Sequence, residues 1–110
     1  GGMMQGGMQP GMGQGGSTGM NQGSAAPHVR AYSDVMDKMH RPMMEGVIDQ
    51  DPDVAFAKGM IPHHQAAIDM AQIVLKFGRD DQIRKLAQDV IREQAREIAE
   101  LNEWLKKHSK

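Results

Sequence analysis

The chain has no cysteine, and its aromatic residues are one Trp, one Tyr and two Phe. The lack of Cys excludes a disulfide scaffold, a thiolate nucleophile, a zinc finger and an iron–sulfur cluster. It also suits an oxidising compartment, where a free thiol is a liability. An excess of one charge is lacking too. The net charge is −1, so no global field draws the chain to nucleic acid or to an anionic membrane. No run approaches the roughly 18 apolar residues of a membrane span. The start, Gly1-Gly2-Met3-Met4, carries neither the basic nor the apolar stretch of a signal peptide, so export is not legible there. What the chain has instead is methionine: 11 of 110 residues, against roughly a few per cent in an ordinary soluble protein.

The charges divide the chain. All 14 acidic residues, and every Lys and Arg but Arg30, lie after position 30. Residues 1–27 hold only Gly, Met, Gln, Ser, Thr, Asn, Pro and Ala. With nothing branched or aromatic to bury and many glycines to order, this segment reads as a flexible low-complexity tail. Residues 28–110 read as a helical domain.

Three helices are expected. The first runs from about His28 to Ile48, with Tyr32, Met36, Met39, Met43 and Val47 at spacings of three and four and Pro42 loosening one turn. The second starts on Asp51 as N-cap and Pro52 at the first helical position, runs to Phe77, and is capped by Gly78. Pro62 should bend it. It carries two apolar stripes. One is Phe56, Met60, His63, Ala67, Met70, Val74 and Phe77; the other is Val54, Ala57, Ile61, His64, Ile68, Ala71 and Leu75. The third runs from Asp80 or Asp81 to about Lys107. Its seam is Ile83, Leu86, Val90, Gln94 or Ile98, Leu101 and Leu105, and Glu93, Arg96, Glu97 and Glu100 read as a solvated face. The fold class is therefore all-α, an antiparallel helical bundle. A domain this small, with so broad an apolar surface on one helix, is expected to be completed by homodimerisation.

The informative string is Met60-Ile61-Pro62-His63-His64, with Met70 further on. On a helix, Met60 reaches His63 and His64, and Met70 lies two turns beyond His63. A thioether is a poor ligand for zinc, calcium or magnesium and a good one for Cu(I) and, by extension, Ag(I). The first helix offers a matching set: Met36, Met39, His40, Met43 and Met44. Antiparallel packing of the first two helices would let these Met/His stripes face each other. Met at helical spacing also serves as flexible core filler, so packing and ligation compete for that set. Two adjacent His at a kink favour ligation, since imidazoles are costly to bury unpaired. Asp69 is a surface charge or an outer partner, Gln94 is placed to hydrogen-bond toward the histidines, and His28 and His108 read as surface residues. In the tail, Met3, Met4, Met8, Met12 and Met20 have no core to fill. Either they wrap a soft ion weakly or they are compositional drift.

From Tyr32 to Lys107 the chain resembles the CopM-like family of bacterial periplasmic copper-binding proteins, long known only as a domain of unknown function. The resemblance rests on Asp53, Phe56, Met60, His63-His64-Gln65, Ala67-Ile68 and Met70-Ala71, then Gln94, Glu97-Ile98 and Trp104-Leu105. It implies a ferritin-like bundle, a periplasmic or secreted location, and binding of Cu(I) or Ag(I) through Met and His for sequestration, resistance or trafficking. It implies Met60, His63, His64 and Met70 as ligands, supported by the first-helix cluster, and a copper chaperone or efflux component as partner.

Other chemistries lack their motifs. A di-iron bundle needs Glu-x-x-His, and no Glu here has a His three residues on. His-Glu-x-x-His is absent, and blue-copper sites use a Cys. The expectation is thus a non-enzymatic copper binder. The alternative is a helical interaction module whose Met-rich groove grips partner helices.

Overall fold

Helices make up nearly all of residues 26–108, the part of the chain that the structure, a computed structural model, describes. They are α1 (Pro27–Val47), α2 (Pro52–Phe77) and α3 (Asp81–His108). Among the described residues there is no strand, and no helix is long and apolar enough to cross a membrane. The low-complexity segment expected over residues 1–27, with its five methionines, lies outside the described residues except for Ala26 and Pro27. From Ala31 onward the chain forms one unit.

The helix ends follow from local chemistry. The Asp51 carboxylate accepts from the amides of Asp53 (2.9 Å) and Val54 (3.3 Å), satisfying two of the amides orphaned at the start of α2. Pro52 has no amide to satisfy, and Asp53 complements the positive end of the helix dipole. At the far end the Gly78 amide closes on the Val74 carbonyl (2.7 Å). The Arg84 guanidinium reaches back from α3 to the carbonyls of Leu75 (2.7 Å) and Gly78 (3.2 Å). Asp80 caps α3 by accepting from the Ile83 amide (2.9 Å). So short a connection makes α2 and α3 antiparallel neighbours, and they pack along each other.

Small side chains dominate the interior. Val35, Val54, Ala57, Ala66, Ile68, Ala71 and Ala87 are buried, together with one polar residue, His64. On α2 the buried line is Val54, Ala57, His64, Ile68 and Ala71, the second of its two expected stripes. The first stripe stays at or near the surface, with Phe56 63% exposed. On α3 the inward line passes through Arg84, Ala87, Ile91, Gln94, Ile98 and Leu101. The expected seam therefore fails in its first turns, where Ile83 and Leu86 are exposed. Arg84 turns inward to satisfy the carbonyls of Leu75 and Gly78, and on a helix that rotates its neighbours Ile83 and Leu86 outward.

The face of α1 is likewise rotated from the expected one. Val35 and Gly46 are buried, whereas Met36 and Val47 are exposed. The contact line is Val35, Met39, Pro42 and Gly46. A Cβ on Gly46 would lie 2.6 Å from the Lys58 carbonyl carbon and 2.7 Å from its oxygen, so α1 meets the α2 backbone there. That carbonyl is the one whose helical partner would be the amide of residue 62, and Pro62 has none. Gly46 and the turn of α2 whose hydrogen bond Pro62 removes thus form one close crossing.

Candidate metal-binding site

Phe56, Met60 and His64 stand at successive i, i+4 positions on α2 and share one face. With Glu97, Glu100, Leu101 and Trp104 of α3 they line a cavity of about 470 Å³. The contact between the helices that shapes this cavity is polar. His64 Nε2 lies 2.6 Å from Glu97 Oε1. The His64 side chain is 10% exposed and that of Glu97 40%.

The direction of that bond follows from its partners. An ionised carboxylate only accepts, so Nε2 carries the proton and donates. In the neutral imidazole the other nitrogen, Nδ1, then holds a lone pair. Nδ1 is buried and has no hydrogen-bond partner among the described residues. A buried polar atom without a partner costs stability, and such atoms concentrate at functional sites. An imidazole whose one nitrogen is held by a carboxylate and whose other nitrogen is bare has the arrangement of a metal-ligating His.

The surroundings of Glu97 are charged but balanced. Arg96 lies 2.8 Å from Glu93, 3.4 Å from Glu100 and 3.9 Å from Glu97. The hydrogen bond and charge of Glu93, then the charges of Glu100 and Glu97, push its guanidinium above the ordinary range. Glu97 is therefore not simply part of a solvated face. It is half-buried and supplies the partner of His64 that was expected from Gln94.

The remaining expected ligands are spread around the helices. Met60 lines the cavity with His64. His63 is exposed, its ring centroid 6.2 Å from that of His64, because consecutive residues diverge by about 100° on a helix. Met70 is 40% exposed. Met39 lines a separate, smaller cavity with Val35, Lys38, Pro42, Pro62, Gln65, Ala66 and Asp69. Met43 is half-buried, and Met36, His40 and Met44 are exposed. The expected opposition of two Met/His stripes is replaced by small residues: α1 lies against Gly59, Pro62 and Ala66, about 200° around α2 from His64. The partly buried Asp69 joins the two helices through an ion pair with the exposed Lys38 (3.8 Å) and accepts from Gln65 (3.1 Å). Among the described residues, no group of three or more His, Asp or Glu is placed to hold a metal ion. The donors brought together are one imidazole and one thioether.

Residues 53–110, just over half of the chain, match the family described as Domain of unknown function (DUF305). The chain belongs to that family. The DUF305 segment takes in nearly all of α2 and all of α3, and so Met60, His63, His64, Met70, Glu97 and Trp104; the Met/His cluster of α1 precedes it. The chain is also similar to an uncharacterized protein, L153, of Acanthamoeba polyphaga mimivirus, with 42% identity over 53 residues. That alignment covers 48% of this chain and 35% of the viral protein, so the chain spans about a third of its relative's length.

Glu97 and Trp104 are the site residues that sequence reasoning had not placed. A signal for Glu97 existed: it sits beside Ile98 and Gln94 on the inward line of α3, where a carboxylate needs a partner.

Proposed function

We propose that this protein is a non-enzymatic, exported copper-binding protein that holds Cu(I), and also Ag(I), through Met and His side chains for sequestration, resistance or trafficking. One observation carries the reading: a buried imidazole oriented by Glu97, with its Nδ1 unpartnered, shares a cavity with the thioether of Met60. A thioether with an imidazole suits a soft monovalent ion and suits hard divalent ions poorly. The resemblance to CopM-like copper proteins over Tyr32–Lys107 supports the same reading. His63 and Met70, with Met36, Met39, His40, Met43 and Met44, provide further donors for surface capture and transfer. The thin interior, with Phe56, Ile83 and Leu86 exposed, supports completion of a ferritin-like bundle by a second copy.

The test is titration of the reduced, metal-free protein with Cu(I) against a competing chelator, followed by X-ray absorption on the loaded protein. Binding tighter than that of a control helical bundle, with mixed sulfur and nitrogen ligation, is expected. No such binding sinks the proposal. A second reading, a Met-rich interaction surface, is favoured by the exposure of Met36, Met44 and Met70. Copper uptake that is unchanged after both His63 and His64 are replaced by Ala would favour it.

A further inference from the structure

Trp104 is the chain's one tryptophan, and it borders the cavity that Met60 and His64 share. Its ring is held in place. The His108 imidazole stacks on it with centroids 4.1 Å apart and planes 13° from parallel. His108 Nδ1 also lies 2.8 Å from the Trp104 carbonyl oxygen, which accepts from it. A residue read as ordinary surface therefore clamps the indole.

The other polar groups of the cavity are engaged. Glu97 is bonded to His64, and Glu100 is paired with Arg96. What remains is the Met60 thioether, the His64 imidazole, whose bare Nδ1 is buried, and the indole. A soft thioether with one borderline imidazole serves a monovalent ion at low coordination, whereas Zn(II) calls for four ligands. The face of an indole attracts a cation within about 6 Å, more strongly than the other aromatic rings do.

We propose that Trp104 is the aromatic wall of the Met60–His64 site, against which a bound soft monovalent cation rests, and that it strengthens binding of Cu(I) and Ag(I) over Zn(II). The proposal rests on the copper reading and adds a contact that this reading does not require.

The experiment has two independent readouts on the full chain. Ag(I), which is redox-inert, is titrated while Trp104 fluorescence is followed; Cu(I) affinity is measured separately by chelator competition. Quenching that saturates with the first tightly bound ion is expected, and Met60→Leu should abolish it. Trp104→Leu should lose about 3- to 30-fold in Cu(I) affinity, Trp104→Phe should lose less, and Zn(II) affinity should not change. Circular dichroism checks that each variant remains helical, and Trp104→Phe decides the matter if Trp104→Leu does not fold. Tight Cu(I) binding with unchanged fluorescence and an unweakened Trp104 variant overturns the aromatic wall and leaves the copper reading intact. Absence of Cu(I) binding overturns both.

Discussion

His64 Nε2 lies 2.6 Å from Glu97 Oε1, joining α2 to α3 across 33 residues of sequence. The pair closes one ring nitrogen and leaves the other bare. Since the outer partner of a ligating His sets its tautomer and basicity, Glu97→Ala is expected to weaken Cu(I) binding by about 10- to 100-fold. Glu97→Gln keeps an acceptor oxygen and is expected to lose less. Chelator competition measures both, and nitrogen NMR of the imidazole reports whether the proton leaves Nε2. An Ala variant that binds as tightly as the parent would remove Glu97 from the site.

The two adjacent histidines are expected to behave differently. His64 is buried beside Met60, and His63 faces outward. His64→Ala should lose most high-affinity Cu(I) binding and some stability, because it empties a buried position. His63→Ala should leave the tightest site nearly intact and reduce only weaker uptake. The reverse order in paired titrations would place the principal site on the surface of α2.

The α1–α2 crossing makes a stability prediction. A Cβ at Gly46 would meet backbone atoms of Lys58 and Gly59 at 2.6–2.8 Å, whereas one at Gly59 would meet the Val47 Cγ1 at 2.6 Å. Backbone cannot turn aside, so Gly46→Ala should cost about 1–3 kcal/mol through overpacking. Val47 is exposed at the end of α1 and can give way. The gain of about 1 kcal/mol from placing Ala rather than Gly in a helix then brings Gly59→Ala close to neutral. Urea denaturation of the two variants separates the cases; equal losses would mean that the helices do not meet at Gly46.

The turn between α1 and α2 carries a pH dependence. The Asp49 carboxyl is held below its ordinary value of 3.8, first by the Asp51 amide at 2.9 Å and then by the Lys58 ammonium at 3.1 Å. A lowered carboxylate pKa means that folding favours the ionised form. The contribution is therefore complete above the unfolded value and fades as pH falls through the folded one. Asp49→Ala should lower the melting temperature at pH 7, and the gap from the parent should narrow below about pH 4. A gap of constant size down to pH 2 would trace the effect to something other than this charge.

Much of the local structure was legible because its causes are local. Asp51-Pro52 at one end of α2 and Gly78 at the other start and stop a helix through groups only a few residues apart. What periodicity could not settle was rotation. The expected faces of α1 and α3 were off by about one residue, enough to turn Met36, Ile83 and Leu86 from core to surface. A residue is 100° of a helix, and an amphipathic pattern with Met on several sides does not resolve that angle. Gly46 and Arg84 set it instead, one by having no side chain at a backbone contact and the other by reaching carbonyls on a neighbouring helix.

The sequence by itself determined that this chain is helical, that it lacks thiol chemistry, and that its unusual donors are thioethers and imidazoles; composition, capping and spacing decide such things within a few residues. Tertiary structure decided which donors meet. It turned Met60 and His64 toward α3, set α1 on the opposite side of α2, and brought Glu97 onto His64 from far along the chain. A contact across 33 residues leaves no periodic trace in a sequence, because it depends on how two helices are rotated when they pack and not on what either one prefers alone.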